Sequence, residues 1–141
     1  MEYTGYLPKL LIPQSIFNTV QYIYGNAFRD CGRYVSTYNG TISLELPAIQ
    51  TIGSYAFSHV HSLKDITIGA NITTISANAF RYLPYTDSIT ILGTPTSIGA
   101  NAFGGNKSGA VLNVVWSEGA VSGAPWGFTG TINYDYVPPQ S

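Results

Sequence analysis

Charge is what this sequence has least of. Only 9% of its 141 residues are Asp, Glu, Lys or Arg, against roughly 25% in an average soluble domain. The formal net charge is −1. The basic residues Lys9, Arg29, Arg33, Lys64, Arg81 and Lys107 are scattered and form no run. The electrostatic footprint of a nucleic-acid binder or of an anionic-membrane binder is therefore missing. Cysteine is almost as scarce: Cys31 stands alone, so neither an intramolecular disulfide nor a cysteine zinc cluster can form. No apolar run approaches the ~18 residues of a membrane-spanning helix. The start, Met1-Glu2-Tyr3-Thr4-Gly5-Tyr6, has no basic segment followed by an apolar stretch and so does not read as a signal peptide. That leaves a protein not exported by this route, a fragment or a mature form.

What the sequence does have is repetition. Thr51-Ile52-Gly53-Ser54-Tyr55-Ala56-Phe57 returns as Thr74-Ile75-Ser76-Ala77-Asn78-Ala79-Phe80 and again as Ser97-Ile98-Gly99-Ala100-Asn101-Ala102-Phe103. The phenylalanines at 57, 80 and 103 keep a step of 23 residues. An earlier copy, Tyr22-Ile23-Tyr24-Gly25-Asn26-Ala27-Phe28, lies 29 residues before Phe57; the surplus fits a loop insertion between Gly32 and Thr41. Short alternating runs precede the motifs: Leu7 to Ile12, Ile42 to Leu46, Leu63 to Ile68 and Ile89 to Ile91. Period-two alternation of β-branched residues predicts strands with one buried face. Pro13, Pro47, Gly69 and Gly93 supply turns after them. One such unit cannot bury its apolar face alone. Stacked units can, which predicts a ladder of Phe28, Phe57, Phe80 and Phe103, with the preceding alanines leaving room for the rings.

The pattern L-x-x-I-x-I followed by x-x-I-G-x-x-A-F resembles the BspA-like leucine-rich repeat. The matching residues are Leu63, Ile66, Ile68, Ile75, Ala79, Phe80 and their counterparts, over about Leu7 to Phe103. The family often carries Cys three residues after the Phe. Cys31 fits, whereas Val60, Leu83 and Asn106 depart from it. The resemblance implies a β-rich solenoid of about four coils of ~23 residues. We divide the chain into a repeat solenoid over residues 1–110, a C-terminal β cap over 111–137 and a tail at 138–141. The segment from Val114 to Gly127 resembles the end segment that follows such repeats in proteins of gut Gram-positive bacteria and their phages. Trp116 and Trp126 are its candidate core plugs, and Thr131 to Tyr136 reads as a further strand. An open solenoid end must be covered. The short segment before Leu7 leaves the N-terminal end to a preceding domain, a partner chain or self-association.

Candidate chemistry is sparse. His59 and His61 could face one way, but no third ligand follows at a suitable spacing, so no metal site is expected. Cys31 falls where other copies have Val60 and Leu83 and reads as a buried structural thiol rather than a nucleophile. The carboxylates are Glu2, Asp30, Glu45, Asp65, Asp87, Glu118 and Asp135. Of these, Glu45 and Asp65 could approach, but a shallow solenoid offers no cleft for an acid–base pair. Gly104 to Gly109 lacks the phosphate-loop spacing and reads as a solvent loop. Asn39, Asn71 and Asn106 begin Asn-x-Ser/Thr triplets, a frequency expected by chance in so polar a chain. Tyrosine is the surplus, with 11 residues, more than a core of this size absorbs, and surface tyrosines are enriched in binding surfaces.

The expectation is a non-catalytic binding module without cofactor, metal, nucleic-acid partner or membrane insertion. The resemblance implies attachment to a protein or glycan on a cell surface, as in bacterial adhesins and phage receptor-binding or tail components, and hence an extracellular, cell-surface or virion location. Repeat solenoids bind through their strand face. The ligand-binding candidates are the outward strand positions Ser43, Glu45, Lys64, Asp65, Thr67 and Thr90, with Tyr82 and Tyr85 on an adjoining edge. The alternative is a purely structural or oligomerisation module of a fibre or larger surface protein. An enzyme, such as a glycan hydrolase, finds no support in the residues.

Overall fold

The computed structural model describes residues 14–31 and 38–139. The expected strand at residues 7–12, Pro13, and residues 32–37 of the expected insertion lie outside the described residues. A four-residue helix, α1 (Gln14–Phe17), is followed by β1 (Tyr22–Ile23), β2 (Ile42–Leu46), β3 (Thr51–Ile52), β4 (Leu63–Ile68), β5 (Thr74–Ile75), β6 (Ser88–Ile91), β7 (Ser97–Ile98), β8 (Val111–Val114) and β9 (Thr131–Asn133). They form two parallel sheets, a short-stranded one in the order β1-β3-β5-β7 and a longer one in the order β2-β4-β6-β8-β9. Four coils thus give one strand to each sheet, and β9 adds a fifth strand to the longer one. The result is a β-solenoid of about four turns.

The register follows the repeat step. Ile66 pairs with Ile89 and Ile89 with Leu112, while Ile52 pairs with Ile75 and Ile75 with Ile98. Alternation along each long strand then decides which columns face in. Leu44, Ile66, Ile89 and Leu112 form one buried column, and Leu46, Ile68, Ile91 and Val114 form another. The pairing of β2 with β4 shifts between Ile42 and Ser43. A bulge there gives β4 one residue more than β2, and the extra residue is Lys64.

Between the sheets runs the aromatic column. Phe28 and Phe57 have ring centroids 5.1 Å apart, Phe57 and Phe80 5.3 Å, Phe80 and Phe103 5.8 Å, all stacked. These distances lie near the ~4.8 Å separation of neighbouring strands, because one ring is added per coil. Phe17 of α1 meets Phe28 at 5.7 Å at the near end, and Trp126 meets Phe103 edge-on at 6.4 Å at the far end. Ala27, Ala56, Ala79 and Ala102 are buried beside the rings. Their small side chains let the backbones approach: the N–H groups of Phe28, Phe57 and Phe80 donate to the carbonyls of Ala56, Ala79 and Ala102, each at 2.8 Å.

Val111–Val114, assigned to the end segment by sequence, take the register of the coils as β8. Trp116 and Trp126 are both buried and stand edge-on at 5.9 Å. The strand expected from Thr131 to Tyr136 stops at Asn133, where a turn begins and Asp135 adopts a left-handed φ of 55°. Replacing Phe80 by Ala removes the middle of the ring column and should lower stability by about 3–5 kcal/mol. Urea denaturation followed by circular dichroism measures this, and a loss below about 1 kcal/mol would mean that the column does not carry the fold.

Candidate functional site

Outward-facing residues of the long sheet form two columns. Ser43, Asp65, Ser88, Val111 and Thr131 make one, and Glu45, Thr67, Thr90, Asn113 and Asn133 the other. The expected candidates Ser43, Asp65, Glu45, Thr67 and Thr90 therefore share one face. Ser43, Glu45 and Lys64 are exposed, while Asp65, Thr67 and Thr90 are half-buried by their neighbours. The columns are cross-linked by their own hydrogen bonds. Asp65 accepts from the Ser88 hydroxyl at 2.8 Å and from the Ser43 hydroxyl at 3.4 Å. The Asn133 amide donates to Asn113 at 2.8 Å, and the Asn113 amide donates to Thr90 at 3.1 Å. Such ladders hold short polar side chains in fixed positions.

Glu45 and Asp65 lie in different columns, and Asp65 is engaged with two serines. The main chain of Glu45 is engaged as well. Gln14 of α1 donates to its carbonyl at 2.7 Å and accepts from its N–H at 3.2 Å. A side-chain amide here stands in for a neighbouring strand along the edge of β2. Asp87 is paired with Lys107. The hydrogen bond from this ammonium, more than its charge, holds the Asp87 carboxyl below the usual carboxylate range.

Tyr82 and Tyr85 lie on the turn before β6, apart from the sheet columns, with 39% and 40% of their surfaces exposed. Tyr82 is packed by its own chain. The His59 ring and the Arg81 guanidinium both lie 4.6 Å from its centre. The Tyr82 ring also covers Gly105, where a Cβ would come within 2.4 Å of its Cδ1. The Tyr82 hydroxyl is engaged too, accepting from the Arg81 guanidinium at 2.9 Å. Tyr85 meets His61 at 5.5 Å in a tilted arrangement. Tyr22 and Tyr24, at 57% and 71%, are the most exposed aromatics among the described residues.

Sequence reasoning missed a feature of this turn face. Two residues per coil adopt left-handed φ: Asn26, Tyr55, Asn78 and Asn101 at 56–63°, and Asp30, His59, Tyr82 and Gly105 at 59–67°. Asparagine, aspartate, histidine and glycine tolerate this conformation and were the available signal. Tyrosine adopts it rarely, so nothing in the identity of Tyr55 or Tyr82 announced it. On this face Arg29 lies over Tyr55 of the next coil, and Arg81 lies over its neighbour Tyr82, each at 4.6 Å. The His59–Tyr82 pair was legible from the 23-residue step. The His61–Tyr85 pair, one residue out of step, was not.

Ser58 Oγ lies 2.9 Å from His59 Nδ1, and Asp30 lies 3.9 Å from the same nitrogen. Ser58 is fully buried. No three His, Cys, Asp or Glu side chains gather among the described residues as a metal ion would need. Among the described residues no helix is long and apolar enough to cross a membrane. Cys31 is buried, and desolvation pushes its thiol up to about 11.

Comparison with known proteins adds one finding. The family model of the BspA type leucine-rich repeat region matches residues 7–108 in six copies. No curated protein and no solved structure gives a significant match.

The buried thiol has two measurable consequences. Iodoacetamide at pH 8 should leave Cys31 unmodified in the folded chain and alkylate it after denaturation; rapid native labelling would contradict the burial. The unfolded thiol ionises from about 9 upward, while the folded one keeps its proton to about 11. Stability should therefore fall as pH rises through that window.

Proposed function

From a chain that belongs to the family of BspA type leucine-rich repeats, we propose a non-catalytic attachment module that binds a protein or glycan on a cell surface through the lateral faces of its coils. The family supports a repeat module for interaction or adhesion. The finer reading is that of a bacterial adhesin or a phage receptor-binding or tail component, working outside the cell, on its surface or on a virion.

One observation carries this reading. The inward residues are consumed by a single shared core, and the long sheet is left with two outward columns of hydroxyls, amides and isolated carboxylates held by hydrogen bonds between coils. Groups fixed in this way meet a partner without first losing conformational freedom, so little binding energy goes into ordering them. The exposed tyrosines on the turn and N-terminal faces add contact area at low entropic cost. With few charges on the chain, recognition runs through neutral hydrogen bonds and apolar contact.

The test is binding of labelled protein to a glycan array and to intact bacterial cells, before and after protease treatment of the cells. Thr67→Lys changes the sheet face, and Tyr85→Ser changes the turn face. Both should keep the wild-type circular dichroism spectrum while reducing binding about tenfold or more if the altered face is in use. Retained binding by both variants would move the site off the lateral faces. No binding to any array or cell, together with a defined oligomer in light scattering, would favour the structural module of a fibre instead.

A further inference from the structure

The two edges of the long sheet are finished differently. At β2 the backbone of Glu45 is closed by the Gln14 amide. At the other end β9 pairs with β8 on one side and with no strand on the other among the described residues. The buried column of Leu44, Ile66, Ile89 and Leu112 ends there at a fifth member, Ile132, which is only half-buried. Gly130 and Tyr134 flank the strand on either side of Ile132. Together with Ala124, Pro125 and Glu118 they bound a groove of about 380 Å³ beside the open edge. Glu118 is the one charged residue lining it.

We propose that this edge receives an extended segment of a partner protein as a further parallel strand. The columns state its chemistry. An apolar side chain lies opposite Ile132 and fills the groove. Ser, Thr or Asn lies opposite Thr131 and Asn133, prolonging the outward ladders. A Lys or Arg within the segment meets Glu118. Main-chain hydrogen bonds supply the affinity and the alternating side chains the selectivity. The surface lies at the end of the stack and is independent of the lateral-face reading, so lateral variants leave it intact.

The probe is a synthetic peptide copying residues 84–93 with Asp87→Lys, which presents Ser88, Ile89 and Thr90 in the order the columns require. It is titrated into the full chain labelled with nitrogen-15. The expected result is a saturable shift of the amides of Gly130 to Tyr134. Affinity should fall about tenfold for the peptide with Ile89→Asp and for the chain with Ile132→Lys, and by a smaller factor for the peptide that keeps Asp87. The proposal is overturned if the shifts fall elsewhere or are absent, or if the Ile89→Asp peptide binds equally well. It is equally overturned if light scattering shows self-association that Ile132→Lys abolishes, since the occupant is then a second copy of this chain.

Discussion

The stacking of one aromatic ring per coil at nearly one strand spacing sets the geometry of the rest of the molecule. Parallel strands fix the rise per coil at ~4.8 Å, and an aromatic pair is favourable at centroid separations of about 4.5–7 Å. The rings of Phe28, Phe57, Phe80 and Phe103 satisfy both conditions at 5.1–5.8 Å. Because rings and strands advance together, the aliphatic columns of both sheets stay in phase, and so do the polar columns outside. A coil that slipped by one residue would turn its apolar set to solvent.

The part of this order that repeats was open to reading from sequence. The ring column and the bounds of β2 and β4 follow from apolar residues recurring at one step. Where the geometry tolerates a change of residue type, the reading loses the thread. Trp126 stands 23 residues after Phe103 and ends the ring column, yet it lacks the Ala-Phe pair and follows Pro125. The stack asks there only for a large ring. In the same way Leu112 and Val114 continue the columns of Ile89 and Ile91, although the segment around them differs in character. The extra residue in β4 and the left-handed bends at Tyr55 and Tyr82 come from how adjacent coils meet, which no single segment encodes.

For the candidate site the sheet positions were legible, since alternation alone sends Ser43, Glu45, Asp65, Thr67 and Thr90 to one face. What they do to each other was not. That Asp65 is held between two serines, and that Gln14 closes the edge at Glu45, depends on side-chain reach between residues 22 to 31 positions apart. The tyrosines divide for a similar reason. Their number pointed to an exposed surface, but Tyr82 is committed to His59 and Arg81, whereas Tyr22 and Tyr24 stand largely free of burial.

The scarcity of charge has its explanation in the same stacking. A repeat places equivalent residues directly above one another at one strand spacing. Two like charges 4 Å apart repel by about 1 kcal/mol in bulk water and about 4 kcal/mol at an effective dielectric of 20. A charged position copied from coil to coil would accumulate that repulsion along the whole column. The outward columns avoid it by spacing each carboxylate with neutral donors. Glu45 stands beside Thr67, and Asp65 stands between Ser43 and Ser88. Hydroxyls and amides behave in the opposite way, because a group that both donates and accepts is stabilised by a copy of itself, as in the chain from Asn133 through Asn113 to Thr90. A neutral polar face is therefore what a stack of this pitch favours.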